Sequence, residues 1–477
     1  MLTRAGYPFH FRDPKKTVLW QTLNSGLDSF IERSETRGQF LPGVVKSEVN
    51  AFLECGILEN GFSKLGCTTC GHVRALAFSC KRRGICPSCG GRRMNQTAAN
   101  LVDQTIPDIP IRQWVISFPH KIRFWIANTP ADTSRVLKII TRVINRFYQE
   151  KYKTRGRKNG TKVGSICFIQ RFGGSVNLNP HFHIIYADGV WQEENTQLKF
   201  TSRKKVTNQD IENVCIRIFQ RVERAYEKAM RDMEHSFGRE YLGESIGGKN
   251  AKKIGKLFNP PWAPPAGNLV SYVNGYSLHA GVRIGKNKKE DLEQLLRYVA
   301  RPAVSNKRLK LTEHGKIQLE LKNKFFDGTT HLEFTQDEFI KRLISLIPPA
   351  RSNLVRYFGV FAPRFKRRNE VVRTPIPPKA SESNKAEKEN GNGKRSYWIP
   401  YVELMKRSFK VDVSECLKCG GEIELLSMVL DPVEIKAVLK SLGLSGKEEA
   451  AFFHEDRGPP TEEIAGNFDY DFDQSCW

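Results

Sequence analysis

The sequence predicts an α+β chain in which a central antiparallel sheet with flanking helices is preceded by a helical and zinc-ribbon unit. Three observations carry that expectation. Apolar residues recur three or four apart in some stretches and every second residue in others, the periods of amphipathic helices and half-buried strands. Cys67-Thr-Thr-Cys70 and Cys86-Pro-Ser-Cys89 lie fifteen residues apart, an interval suited to a four-thiolate zinc site. The run Asn177-Leu-Asn-Pro-His-Phe-His-Ile-Ile-Tyr186 reads as a strand. Its alternation puts His181 and His183 on one face and Phe182 on the other, so two imidazoles can share one metal ion while the phenyl ring anchors the strand.

Composition narrows the class. A chain of 477 residues exceeds one ordinary domain, and its net charge of +25 points to a polyanionic partner. No run of about 18 apolar residues occurs, so a membrane span is not expected. Met1 to Lys16 lacks the apolar core of a secretory signal, which makes nucleic acid in the cytoplasm the leading expectation. The eleven cysteines are clustered: six between Cys55 and Cys89, two as Cys416-x-x-Cys419, with Cys167, Cys215 and Cys476 single. Close pairs in such a chain fit metal binding better than disulfides.

Taken in order, residues 1–58 form a helical support, with Leu23, Leu27, Phe30 and Ile31 on one face. Residues 59–97 form the zinc ribbon. Its expected ligands are Cys67, Cys70, Cys86 and Cys89, with Cys80 or His72 as alternates, and Gly71 and Gly90 supply turns after the knuckles. Filled by four thiolates the site has no open position, so it reads as structural. Lys81, Arg82, Arg83, Arg92 and Arg93 around it suggest a DNA-facing surface. A strand is expected at 113–118 and a helix at 133–153. The basic loop 151–162 reads equally as a solvated loop or a phosphate contact. Strands at 165–171 and 177–187 are joined through Gly173-Gly174, and a helix spans 210–236. Pro260-Pro-Trp-Ala-Pro-Pro265 reads as a rigid connector.

A strand follows at 276–284, then a helix at 291–301, which Pro302 ends. Gln294, Tyr298 and Arg301 fall on one face of that helix. A hairpin around Asp327-Gly328 and a helix at 336–347 complete the main domain, taken as residues 110–375. Residues 376–396 read as a disordered linker, and 397–450 as a small module with one knuckle, Cys416 and Cys419, which would need ligands from elsewhere for a second zinc. Residues 451–477 form an acidic tail.

Several motifs in this order resemble one family. They are Phe78-Ser-Cys-Lys-Arg-Arg-Gly-Ile-Cys-Pro-Ser-Cys89 with Arg92-Arg-Met94, and Gln170-Arg-Phe-Gly-Gly174 leading to His181-Phe-His183. Further on come Ser277-Leu-His-Ala280, Leu295-Leu-Arg-Tyr-Val-Ala-Arg-Pro302 and Arg356-Tyr-Phe-Gly-Val-Phe-Ala-Pro363. The chain resembles the HUH-class rolling-circle transposases of the IS91 family and its single-tyrosine, common-region-like relatives. The resemblance implies an HUH endonuclease domain and cleavage of single-stranded DNA at transposon ends and targets. His181 and His183 would hold Mg²⁺ or Mn²⁺, with His279 or Gln294 as third ligand and Zn²⁺ in the ribbon. Tyr298 would be the nucleophile, and Arg297 and Arg301 would join Arg82, Arg83, Arg92 and Arg93 in contacting DNA. Many relatives carry a second tyrosine one turn earlier, where this chain has Gln294. The pair Tyr272 and Tyr276 has the same spacing but leads into a strand, so both are expected to pack. A replication initiator or conjugative nickase of the same chemistry, and a non-catalytic zinc-dependent DNA-binding protein, stand as alternatives. The expected location is the bacterial nucleoid.

Overall fold

The computed structural model describes residues 13–152, 160–202, 204–237, 269–325, 327–372, 401–409 and 412–444. Most of the basic loop 151–162, the proline connector 260–265, the linker 376–396, the acidic tail and Cys476 lie outside the described residues.

Helices α1 (Val18–Thr36) and α2 (Gly43–Leu53) open the chain, followed by β1 (Phe62–Cys67), β2 (Val73–Ala77) and α3 (Pro87–Asn100). Then come β3 (Ile111–Ser117), α4 (His120–Asn128), α5 (Pro130–Lys151), β4 (Gly164–Phe172) and β5 (Leu178–Ala187). A hairpin, β6 (Val190–Glu194) and β7 (Gln197–Thr201), leads to α6 (Asn208–Phe237). After it lie β8 (Val270–Val273), β9 (Tyr276–His279), β10 (Arg283–Ile284) and α7 (Lys289–Val299). The chain continues through β11 (Leu309–Leu311), β12 (Ile317–Glu320), β13 (His331–Phe334), α8 (Gln336–Ser345) and β14 (Val355–Gly359). Finally come α9 (Tyr401–Phe409), β15 (Ile423–Val429) and α10 (Pro432–Ser441).

The central sheet runs β14-β4-β5-β3-β9-β8, with β10 also on β3, and its pairings are antiparallel. Alternation along the strands divides its two faces. Trp114, Ile116, Cys167, Ile169, Phe182, Ile184, Tyr276 and Leu278 enter one core, closed by α4, α5 and α6. Ile166, Phe168 and Ile185 enter another, closed by α7 through Leu295, Leu296, Tyr298 and Val299. The layering follows from sequence: α5 begins at Pro130 behind the Thr129 cap and carries Val136, Ile140, Val143 and Ile144 on one buried face. The register of β4 and β5 shifts between Gln170 and Phe172. The partner strand there contains Pro180, which has no N–H to donate to the ladder.

The N-terminal helices share a core with distant chain. Leu19, Leu23 and Phe52 pack with Cys86, Cys89, Phe334, Phe339 and Leu343. The C-terminal segment likewise crosses the molecule: β15 pairs antiparallel with β1, giving the sheet β15-β1-β2, and α9 packs on α3. Gly71 adopts φ +66°, the left-handed turn expected after Cys70. Gly90 instead lies inside α3, where an added Cβ would sit 2.7 Å from Pro302 Cβ, so its bare backbone lets α3 approach the end of α7.

At the end of β5, buried Asp188 accepts from Arg112 Nε at 2.9 Å and Nη2 at 3.0 Å, from Arg283 Nε at 2.6 Å and from Tyr148 Oη at 3.2 Å. Burial alone would push its carboxyl up, but Arg112 and Arg283 hold it below the usual range. A depressed carboxyl contributes stability above its unfolded pKa of about 3.9 and loses it as pH falls through the folded value. Asp188→Asn is expected to lower unfolding free energy by about 3–5 kcal/mol at pH 7, because buried Arg112 loses its counter-charge. Urea titrations at pH 7 and pH 3.5 check this. The gap between the two proteins should shrink at the lower pH.

Candidate active site and metal centres

Strand register assembles the site. His183 on β5 pairs with Val115 on β3, and Val115 pairs on its other side with His279 on β9. Directly paired residues share a face, so His183 and His279 stand in one row, and His181 joins them two residues along. The rings of His181 and His183 are 4.9 Å apart. On the neighbouring strand Gln170 pairs with His181, and its Nε2 donates to Val299 O at 2.8 Å, tying the end of α7 to this face. Tyr298, on α7, sits with its ring centre 6.1 Å from that of His183, nearly perpendicular, and is 3% exposed. Arg301 lies 4.5 Å from the Tyr298 ring centre and Lys322 Nζ 4.8 Å from it. Two cations on this ring favour negative charge on its oxygen.

The donor chemistry suits a metal. His181 Nδ1 lies 2.8 Å from Asn179 O, a carbonyl that only accepts, so the proton is on Nδ1 and the lone pair on Nε2. Gln113 meets His183 Nδ1 at 2.7 Å, the kind of outer contact that orients a ligating imidazole. Burial holds His279 down to about 4, so it is neutral at physiological pH. Gln294 is half-buried and its side chain makes no hydrogen bond among the described residues. The three histidines share a face but are not drawn to mutual ligating distance. Among the described residues only two cysteine groups are that tight.

Those groups correct the expected ribbon. Cys55, Cys80, Cys86 and Cys89 form one set, and Cys67, Cys70, Cys416 and Cys419 the other. Four sulfurs at about 2.3 Å from one zinc lie about 3.8 Å apart. The observed separations match: Cys55–Cys89 3.7 Å, Cys80–Cys89 3.5 Å, Cys55–Cys86 3.7 Å, Cys67–Cys419 3.5 Å and Cys70–Cys416 3.7 Å. The two knuckles thus part company. Cys86 and Cys89 start α3 in the helical core, whereas Cys67 and Cys70 bound the β1–β2 turn beside β15. Cys80 enters as a ligand candidate and His72 does not; the His72 carbonyl accepts from Cys67 N. The backbone N–H of Cys70 is the main cause holding the Cys67 thiol down to about 6.

The expected DNA-facing arginines divide. Arg83, Arg93 and Arg301 line a cavity of about 350 Å³, and Arg92 lines an adjoining hollow with Lys81. Arg82 donates to Ser47 Oγ at 3.0 Å. Arg297 pairs with Glu293, which also binds Arg407 of α9, so it faces α9 in an ion-pair network. Tyr272 and Tyr276 flank the Asn274-Gly275 hairpin turn, both of whose residues have positive φ, and so point to opposite faces. Tyr276 is buried and donates to Glu223 Oε1 at 3.0 Å, as a packing residue. The sequence reading missed Cys55 as a ligand, although six plus two clustered cysteines make two sets of four.

Residues 164–369 match a family model described as "Putative transposase", and residues 23–118 one described as "Transposase zinc-binding domain". The transposase for insertion sequence element IS801 of Pseudomonas savastanoi pv. phaseolicola is 22% identical over 396 residues, covering 79% of this chain and 82% of that protein. A Sinorhizobium fredii protein described in the words of the first model is 22% identical over 382 residues, covering 74% and 81%. No solved structure matches. No helix among the described residues is long and apolar enough to cross a membrane. With both matched regions in order along one chain, and the cysteine sets built around the second, the chain belongs to the IS91 family of transposases and carries an N-terminal zinc-binding domain.

Proposed function

We propose that this transposase cleaves and rejoins single-stranded DNA at insertion-sequence ends, with Tyr298 as nucleophile and the sheet as an HUH endonuclease fold. The observation that carries the reading is the placement of Tyr298 against His183 on the face shared with His181 and His279. His181, His183 and His279 would hold a divalent cation, the last preferred over Gln294 because it stands in the His183 row. Imidazoles are softer donors than magnesium favours, so manganese is the better fit. When bound, the ion supplies Lewis-acid polarisation of the scissile phosphate. Gln113 meets His183 Nδ1 with its amide Nε2, and turning that amide over, so that Oε1 accepts from Nδ1–H, would leave His183 Nε2 as the ligating atom.

In the reaction Tyr298 Oη bonds to phosphorus as the P–O3′ bond breaks. The phenol gives up its proton and the departing 3′-oxygen takes one up, so neither water nor nucleotide is consumed. The 5′-phosphotyrosine conserves the phosphodiester, and a 3′-hydroxyl reverses the step to rejoin strands. Arg301 and Lys322, over the ring, stabilise the developing phenolate. Each cysteine set would hold one structural zinc, and family membership disfavours the replication-initiator, conjugative and non-catalytic alternatives.

The test uses a 3′-labelled single strand of an element end with Mn²⁺. The label is expected on the protein in a denaturing gel, with the nucleotide on the peptide containing Tyr298. Label on another residue, or an adduct formed equally well from duplex, overturns the reading.

A further inference from the structure

Where α7 ends, the chain turns along a cavity of about 350 Å³ between α3, β4 and the segment before β14. That volume is within the roughly 300–1,000 Å³ of ligand sites. Four arginines line it, Arg83, Arg93, Arg171 and Arg301, and no carboxylate does. Arg171 is the telling one. Its guanidinium donates to Ala127 O at 3.0 Å and Ser345 O at 3.3 Å, its buried Nε has no partner, and no carboxylate pairs with it among the described residues. Burial lowers its pKa to about 10, which leaves it charged at neutral pH. Arg83 and Arg93 are likewise satisfied by neutral carbonyls, Ser352 O at 3.4 Å and Lys81 O at 2.7 Å. Half-buried Arg171, with no carboxylate on it, is a costly cation unless an anion joins it, and the exposed Arg83 and Arg93 together with Arg301 face the same hollow.

We propose that this cavity is a nucleotide subsite, holding a phosphodiester of the strand being cleaved, one or two nucleotides from the scissile phosphate. The inference rests on the strand-cleavage reading, since its location is what names the anion. Val299, Ala300 and Arg301 form its wall directly after Tyr298, and Gln170 links that wall to the His181 row. Phe172, with Arg301 5.8 Å from its ring centre, supplies an aromatic wall on which a base can stack. Arg83 lies in the loop between Cys80 and Cys86, and Arg93 on the helix that Cys86 and Cys89 start, so the buried cysteine set fixes both cations. A second hollow of about 370 Å³ shares Arg93 and Gln96 with the first and adds Lys81 and Arg92, which extends the basic lining beyond the first cavity.

The experiment pairs protein and DNA changes. Full-length zinc-loaded protein is titrated with a fluorescent single strand of an element end over a range of KCl. In a parallel series single phosphates of the strand are replaced by neutral methylphosphonates. Arg83→Gln should weaken binding about tenfold at low salt and reduce the logarithmic salt slope by roughly 0.7, the loss of one single-strand phosphate contact. One methylphosphonate close to the cleavage site should cause the same loss, and the two should not add. Arg171→Lys should act at that same phosphate, and a melting curve shows whether it folds; the surface variant Arg83→Gln keeps the test decisive if it does not. Arg146→Gln, on α5, is the control and should bind as the parent does. Additive losses at every position overturn the subsite. So does inorganic phosphate or pyrophosphate binding that depends on Arg83 while strand affinity does not, which would make it a site for a free anion. Adduct formation on the same samples separates the readings. Parent protein that binds strand through Arg83 but forms no Tyr298 adduct sinks the cleavage reading, whereas an adduct with unchanged affinity in Arg83→Gln sinks the subsite.

Discussion

Tyr298→Phe should abolish the covalent protein–DNA adduct while leaving single-strand affinity within about twofold of the parent. The ring is 3% exposed and packs among Phe168, Leu295 and Val299, so deleting one oxygen leaves its apolar contacts in place. Its two cation contacts, to Arg301 and Lys322, engage the ring face and survive as well. What disappears is the atom that bonds to phosphorus, so the loss should reach the detection limit. His183→Ala should differ in kind. The nucleophile remains, and cleavage should slow by about 10²–10³-fold, the scale of losing one electrostatic stabiliser. Gln113→Leu should act more mildly, weakening Mn²⁺ binding by about 10–100-fold, with strand affinity unchanged. Quench-flow adduct formation and manganese titration read these three separately. An adduct in Tyr298→Phe at the parent's level would move the nucleophile elsewhere; Tyr276 faces the opposite core, which leaves Tyr272, on the His279 face of β8, as the residue to test next.

How far this arrangement was readable from sequence depends on the range of the interaction. Alternation within one strand is local, and it suffices to put His181 and His183 together and Phe182 in the core behind them. Helix termination at Pro302 and the apolar stripe of Leu292, Leu295 and Val299 are equally local. The choice between His279 and Gln294 was not. It needs the register of β9 on β3, set by pairings between residues more than 150 positions apart. The cysteines failed for the same reason. Spacing identifies a knuckle, but each knuckle brings only two sulfurs, and which pair completes it is decided by topology. Cys67 and Cys70 are completed across almost 350 residues because β15 adds to the edge of β1. Cys55, beyond the end of α2, has no knuckle to announce it. The unpaired charge of Arg171 is invisible in sequence too, since an arginine on a strand ordinarily reaches solvent or a carboxylate.

Zinc content should therefore be two per chain, and the two ions should respond to different cysteines. A ribbon built from Cys67, Cys70, Cys86 and Cys89 would bind one ion and be indifferent to Cys55 and Cys416. With the sets found here, Cys416→Ser should release one zinc and spare the other, and Cys55→Ser should do the converse. The consequences for stability should also differ. A structural zinc contributes on the order of 10 kcal/mol to the unit it organises. The Cys55 set lies inside the core that joins α1, α2 and α8, among Leu23, Phe52, Phe339 and Leu343. Its loss should cost most of the stability of that region and, by freeing the Arg83 loop and α3, weaken strand binding as well. The Cys416 set is peripheral, with Cys70 and Cys419 exposed. There the loss should undock β15 from β1 and expose Phe62 and Val429 while the main sheet melts almost as before. Inductively coupled plasma mass spectrometry of the single variants gives the stoichiometry, and hydrogen exchange locates the opening at residues 62–77 or at residues 18–53. One zinc lost from both variants together would mean that the eight cysteines act as a single cluster. Two zincs retained in Cys416→Ser would return that module to a role without metal. Because Cys55 and Cys416 belong to different sets, the pattern of retained zinc decides between one ribbon and two anchors without reference to catalysis.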